Sequence, residues 1–337
     1  MEKEDNVILD LSNLSVNFFI EDDIIEAVND ISLRLEKGKT LGLVGETGAG
    51  KTTTAKAIMQ LIPNPPGKIL DGSKINVCGH DMLKLNKKEL STIRGKDVSM
   101  IFQDPMTALN PVLTVGEQIA ESLIIHEKLS KAEANKRAGE MLEIVGISAS
   151  RGADYPHQFS GGMKQRVVIA LALACNPKLL IADEPTTALD VTIQAQVLEL
   201  MKEIRDKYQM AMIMITHDLG IVAEVCDEVA VMYAGRIVER GSLSDIFRDT
   251  RHPYTEGLFN SLPNISDRKA TLQPIPGMMP DPANLPEGCA FEPRCKYACE
   301  QCKKAIPEEI KVSDTHFVRC CRYSSPEFHL KGKTENG

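Results

Sequence analysis

The sequence predicts an α/β fold with a largely parallel sheet covered on both faces, followed by a loop-rich tail. Three observations carry that expectation. Short, fully apolar runs (Thr40–Val44, Lys178–Ala182, Ala211–Ile215) alternate with segments of helical spacing, the pattern of crossover connections between parallel strands. The first of these runs opens directly into a glycine-rich loop, Gly45–Thr52. Beyond residue 250 the composition changes, with Pro263, Pro274, Pro276, Pro280, Pro282, Pro286 and Pro293 marking turns and six cysteines falling between Cys289 and Cys321.

Composition narrows the function classes. The 337 residues carry a net charge of −8, with 43% apolar and 26% charged residues, which fits an ordered globule and argues against a nucleic-acid groove. The acidic excess belongs to the first 251 residues, because the remainder has equal numbers of acidic and basic side chains. Trp is absent and aromatics are 4%, so an aromatic-lined binding surface is not expected. The opening MEKEDNVILD lacks the basic and then apolar pattern of a secretory signal, and no apolar run is long enough to span a bilayer. Reduced thiols are therefore expected, and metal binding outranks disulfides for the cysteine cluster.

In chain order, Val7–Leu11 and Ser15–Ile20 read as strands, and Thr40–Val44 as a buried strand. Thr53–Ile62 reads as a helix stopped by Pro63 and the turn cluster Asn64-Pro65-Pro66-Gly67. Thr114–Lys128 and Lys131–Val145 have helical spacing, making residues 105–165 a helical insertion. Val167–Ala174 is an apolar helix, and Ile193–Lys207 is a helix between the two later apolar strands. Val229–Tyr233 and Arg236–Arg240 around Ala234-Gly235 form a hairpin.

The chemistry lies at the ends of these elements. Gly45-Glu46-Thr47-Gly48-Ala49-Gly50-Lys51-Thr52 matches G-x-x-x-x-G-K-[ST]. Glycines let backbone N–H groups turn inward as an anion nest, and the following helix aims its positive end at phosphates. Lys51 would reach the β- and γ-phosphates, and the Thr52 hydroxyl would sit on Mg²⁺. Asp183-Glu184 closes an apolar strand, giving a carboxylate for Mg²⁺ and a general base for water. His217 follows the neighbouring strand and Gln103 another apolar run, so both can join the same face, His217 orienting Glu184 and Gln103 contacting Mg²⁺ and water. Ser160-Gly161-Gly162 opens a helix as a second anion nest, too far along the chain to share a site with Lys51.

Together these residues resemble the ATP-binding cassette ATPases: phosphate loop, Gln103, Ser160-Gly161-Gly162, Asp183-Glu184, Ala188-Leu189-Asp190 and His217 stand in the family's order and spacing over residues 6–250. The resemblance implies a P-loop cassette with a mixed, mainly parallel core sheet, an antiparallel β subdomain and an α-helical subdomain. It implies a head-to-tail dimer gripping two ATP molecules, each between one subunit's residues 45–53 (through Thr53) and the other's signature, with Asp190 across the interface. Adenine would stack on Phe18, with Phe19 the alternative. Finer wording resembles the oligopeptide/dipeptide importers: Gln103–Pro111, Ser160–Arg166, Asp183–Gln196 and Arg251-His252-Pro253-Tyr254-Thr255, which opens that group's extension (251–325, then a tail 326–337). Met163 resembles the D-type subunit, which pairs with an F-type ATPase. This implies two permease subunits, an extracellular peptide-binding protein, no nucleic acid, and a peripheral place on the cytoplasmic face of the cell membrane. Nickel or another small solute is the alternative cargo. A soluble cassette acting on DNA or ribosomes would be expected to show two cassettes, a long coiled coil or basic arms, none of which is present.

For the cysteines, the subfamily resemblance implies a [4Fe–4S] cluster on Cys289, Cys295, Cys302 and Cys320, the last in a His-x-Val-x-Cys context. Cys299 and Cys321 are extra to that pattern. A Cys₄ zinc site lacks the paired C-x₂-C knuckles of a zinc ribbon, and Cys295-x₃-Cys299-x₂-Cys302 mimics a radical-enzyme triad without chain enough to follow it. Cys78, Cys175 and Cys226 read as core thiols.

Overall fold

The structure is a computed structural model describing residues 6–186, 189–261 and 274–324, with Phe328 and Leu330. Ala188 and most of the expected tail 326–337 lie outside the described residues.

Two sheets build the body. The larger runs, in spatial order, through Ile310–Lys311, Phe317–Val318, Arg236–Ser242, Glu228–Tyr233, Thr40–Val44, Ala211–Thr216, Leu179–Asp183 and Val98–Ile101. From Glu228–Tyr233 to Val98–Ile101 every pairing is parallel. Such strands are buried on both faces, which is why Leu179–Asp183 and Ala211–Thr216 read as unbroken apolar runs rather than as alternations. The smaller sheet is antiparallel: Asp23–Glu36 pairs with Val7–Ile20, which also pairs with Lys74–Val77 and Gly67–Ile69.

One core lies between this antiparallel sheet and the parallel one, and includes Leu9, Leu11, Leu14, Ile31, Ile58, Ile181 and Ile213. The other lies on the opposite face under the helices, and includes Ile119, Leu142, Val167, Leu198, Met212 and Met214. Consecutive strand residues such as Met212 and Ile213 serve opposite cores because strand side chains alternate.

Most expected elements are present. The insertion helices are Val115–Glu127 and Lys131–Ile144, each opened by a capping box at Thr114 and Ser130. The hairpin turn holds Ala234 and Gly235 at φ 45° and 79°, as a two-residue type I′ turn demands. Three expectations need correcting. Val7–Leu11 and Ser15–Ile20 form one strand, whose partner register shifts near Leu14 carry it through the polar Ser12-Asn13. The helix after the phosphate loop is Lys51–Ile58 and not Thr53–Ile62. It begins earlier because its first turn is the loop's own end, and it stops earlier because Arg94 donates to the carbonyls of Met59 and Gln60, capping it there. The signature helix spans Gly161–Leu173, starting at its glycines, with Ser160 as N-cap.

The tail continues the large sheet. Glu239, in Arg236–Ser242, is fully buried and accepts from the N–H groups of Arg251 (2.6 Å) and His252 (3.0 Å) and lies 2.8 Å from His316 Nε2. One carboxylate therefore ties both ends of the tail to one strand. Tyr254 and Phe291 complete the seam by joining the helix-side core.

Candidate active site

Parallel strands deliver their carboxyl ends to one edge of the sheet, where ligands bind in open α/β folds. Val44 pairs with Thr216, Asp183 with Ile215 and Ala182 with Ile101, so Gly45, Asp183-Glu184, His217 and Gln103 emerge side by side. This places four sequence motifs, far apart in the chain, on one cleft.

The phosphate loop requires its glycines. Gly50 has φ 102°, and a Cβ there would lie 2.4 Å from the Ala27 carbonyl oxygen. Gly235 N–H donates to Ala49 O (3.0 Å), so the hairpin turn supports the loop from below. Lys51, 6% exposed, donates from Nζ to the carbonyls of Gly45 (2.7 Å) and Glu46 (2.9 Å). Burial pulls its ammonium below the usual lysine range, against the pull of Glu184, Asp183 and Glu46. Thr52 Oγ1 donates to Asp183 Oδ1 at 3.1 Å. Burial pushes the Asp183 carboxyl up, and the Thr52 hydrogen bond and Lys51 offset it in part. A buried carboxylate touching a hydroxyl is a donor set of hard oxygens suited to Mg²⁺.

Glu184 stands at φ 47°, a left-handed conformation that costs a residue with a Cβ on the order of 1 kcal/mol. Its N–H is held by Ile215 O (2.9 Å). Gln103 Nε2 donates to one carboxylate oxygen (3.2 Å), and His217 Nδ1 lies 3.2 Å from the other. The backbone thus turns this carboxylate out of the strand, and two neighbours orient it.

These residues enclose a cleft of about 430 Å³ lined by Thr47, Gly48, Gly50, Lys51, Thr52, Thr53, Gln103, Glu184 and His217. Phe18 lines it and Phe19 does not, the latter being 45% exposed. Gly45, Glu46 and Ala49, also expected at the nucleotide, belong to the same loop but are not among the cleft's lining residues. Ser160, Gly161, Gly162 and Asp190 are not among the lining residues. Ser160 caps its own helix by accepting from Met163 N–H, and Asp190 caps the next by accepting from Ile193 N–H (3.0 Å). A Cβ on Gly162 would meet Ile193 at 2.6 Å, so the signature glycine and the helix after Asp190 touch.

Sequence reasoning missed the tail's hold on the loop. Tyr254 Oη accepts from Glu46 N–H (2.9 Å), and Arg294 Nη1 binds both Glu46 carboxylate oxygens (3.1 and 3.0 Å). The Arg251–Thr255 motif was visible but carried no assigned role, and nothing local marks Arg294 as a partner of Glu46. Ile25, Ala27 and Pro282 are further lining residues that no motif announced.

The six tail cysteines gather beside this region. Cys302 Sγ lies 3.5 Å from Cys299 Sγ and 3.0 Å from Cys321 Sγ, and Cys289 N–H donates to Cys302 O (2.7 Å). Among the described residues the tightest metal-capable group is Cys299, Cys302 and Cys321, so the two thiols extra to the expected pattern lie nearest one of its members. Burial raises Cys289 and Cys295 to about 11 and Cys320 to about 12, and the charges of Cys289, Cys295 and Cys302 all act on Cys320. No helix among the described residues is long and apolar enough to cross a membrane.

Comparison with known proteins agrees with this geometry. The ABC transporter family matches residues 28–187, and the C-terminal region of oligopeptide/dipeptide transporters matches residues 238–302. The chain is 53% identical over 93% of its length, and 88% of the relative's, to the oligopeptide transport ATP-binding protein OppD of Bacillus subtilis. It is 51% identical to the dipeptide transport ATP-binding protein DppD of the same organism, over 93% of this chain and 94% of that one. Against OppD of Salmonella typhimurium identity is 50%, covering 90% of each chain. Among solved structures, the ATP-binding cassette MJ0796, a dimer bound to ADP and Pi, superposes with TM-score 0.63 at 27% identity, covering 70% of this chain and 99% of that one. The cbiO1 protein of Clostridium perfringens, part of the transporter complex cbiONQ, gives 0.62 at 27% identity, covering 72% and 91%. The convergent cleft, the tail bound to it and these matches place the chain in the ABC transporter family, as an ATPase subunit of its oligopeptide/dipeptide branch.

Proposed function

We propose that the residues around this cleft hydrolyse ATP to drive peptide uptake, with Glu184 as the general base. The observation that carries the reading is the convergence on Glu184: Gln103 and His217 each engage one of its oxygens, while Lys51, Thr52 and Asp183 stand on the same cleft. Lys51 leaves the Gly45 and Glu46 carbonyls to bind the β- and γ-phosphates, and the loop's inward N–H groups cradle them. Thr52, Asp183 and Gln103 would hold Mg²⁺, which when bound neutralises charge on the phosphate oxygens. Glu184 accepts a proton from the attacking water, and His217 and Gln103 keep its carboxylate aimed at that water.

Ser160, Gly161, Gly162 and Asp190 lie off this cleft, which suits a site closed by a facing subunit; the solved relative MJ0796 is a dimer. We assign that facing place to a second, F-type ATPase, with both ATPases lying peripherally on the cytoplasmic face of the cell membrane against two membrane permease subunits, and an extracellular peptide-binding protein delivering cargo. For the tail we propose a [4Fe–4S] cluster on Cys289, Cys295, Cys302 and Cys320. Its support is that Cys289, Cys295 and Cys302 all lie close enough to act on Cys320, together with the softness of an all-cysteine donor set. Cys299 and Cys321 stand outside this set as neighbours of Cys302.

The test is Glu184→Gln in the assembled transporter. ATP binding is retained while steady-state hydrolysis falls by at least about 100-fold, the size of a general-base contribution. Unchanged turnover removes Glu184 from this role.

A further inference from the structure

The tail does more than lie beside the cleft. The segment from Pro276 to Pro282 is pinned at both ends: Arg294 Nε donates to Pro276 O (2.9 Å), and Glu26 N–H donates to Pro282 O (3.0 Å). Between them Met279 packs against both hydrophobic cores and reaches the phosphate loop, where a Cβ on Gly48 would lie 3.0 Å from its Cε. The chain turns directly after Pro282, with Asn284 N–H donating to Asp281 O (2.8 Å) and Ala283 N–H to Asp281 Oδ1 (2.9 Å). Pro282 itself lines the cleft, on the side of Ile25 and Phe18, which are cross-strand partners. Lys51, Thr52 and Glu184 define the polar part of the same cleft.

We propose that Pro282 is a nucleotide-contacting residue, its ring bordering the base or ribose of the bound nucleoside triphosphate and extending the apolar wall that contains Phe18 and Ile25. The inference rests on the ATP reading of the cleft. A nucleoside is a flat apolar body on a polar phosphate chain, and a proline ring offers a rigid apolar face with little conformational entropy to lose on contact. Two hydrogen bonds, one from the Arg294 side chain and one from the Glu26 backbone N–H, fix the segment, so the tail supplies a pre-formed wall. In this chain the nucleotide site is therefore completed in cis by the extension as well as by the cassette.

The experiment measures equilibrium binding of ATP and of inorganic tripolyphosphate to the full chain carrying Pro282→Gly or Pro282→Ala. The expected result is an ATP Kd raised about 3- to 10-fold in the glycine variant, less in the alanine variant, with tripolyphosphate binding unchanged in both. Retained tripolyphosphate binding also shows that the phosphate loop is folded. An unchanged ATP Kd overturns the proposal. So does an equal loss for both ligands, which would make Pro282 a support of the loop rather than a contact. Failure of the unsubstituted chain to bind ATP at all, with its fold intact, would instead overturn the reading of the cleft, and this inference with it.

Discussion

Replacing Arg294 with Met tests whether the tail governs the phosphate loop. Its side chain is 6% exposed and that of Glu46 is 31%, so the pair is mostly shielded from water. At about 3 Å and an effective dielectric of about 20, the gross attraction is about 5 kcal/mol. Desolvation and partial screening reduce the net coupling to about 1–3 kcal/mol. Arg294 also donates to Tyr233 Oη (3.3 Å), so its loss strands that hydroxyl as well. Two consequences follow. The chain loses about 2 kcal/mol of stability, and the Glu46 carboxylate is left without its counter-charge at the loop that must receive a triphosphate. ATP affinity should then fall about 10-fold, because about 1.4 kcal/mol is one decade. A double-mutant cycle with Glu46→Gln, read by denaturant midpoint and by ATP Kd, isolates the pair. Removing the carboxylate as well should restore most of the lost affinity. Strict additivity of the two substitutions, within about 0.5 kcal/mol, would refute the argument, for it would mean the two groups touch without coupling.

Three further outcomes are expected. Gly50→Ala forces a methyl group to within 2.4 Å of the Ala27 carbonyl at φ 102°, so it should cost at least about 2 kcal/mol and weaken ATP binding, measured by thermal melting and titration; a neutral effect would mean the loop relaxes freely. Burial depresses His252 to about 3, so the folded state resists a proton that the unfolded chain accepts near 6.5. Stability from this group is full above about pH 6.5 and is lost as pH falls toward 3, by at most about 1.4 kcal/mol per pH unit; His252→Asn should flatten the slope of urea midpoint between pH 7.5 and 5, and equal slopes would sink the assignment. For the cysteines, Cys320→Ser should abolish iron and sulfide content and visible absorbance after anaerobic purification, while Cys299→Ser should not. The reverse pattern, or stoichiometric zinc held by Cys299, Cys302 and Cys321, would reassign the site.

Much of the cleft was legible in the sequence because its requirements are local. Gly45–Thr52 must be glycine-rich to adopt its backbone conformation, and Asp183-Glu184 must follow an apolar run to emerge at a strand end. The helix starts at Thr114 and Ser130 were written in their capping boxes. Two of the errors came where a nonlocal partner overrode the local pattern. The polar Ser12-Asn13 looks like a break, but cross-strand pairing with Asp23–Glu36 carries the strand through it. Residues 59–62 have helical character, but Arg94, more than thirty positions on, takes the carbonyls that would mark the helix end.

The sequence by itself determined the class of chemistry: a phosphate loop, a pair of carboxylates closing an apolar strand, and a cysteine-rich extension are each recognisable in a few consecutive residues. Only the tertiary structure decided how the extension relates to the chemistry. Glu46 is held by Tyr254 and Arg294, 208 and 248 positions away, and Pro282 borders the same cleft. No periodicity or motif encodes those partners, because they meet only after the parallel strands set the edge of the sheet and buried Glu239 fixes both ends of the tail upon it.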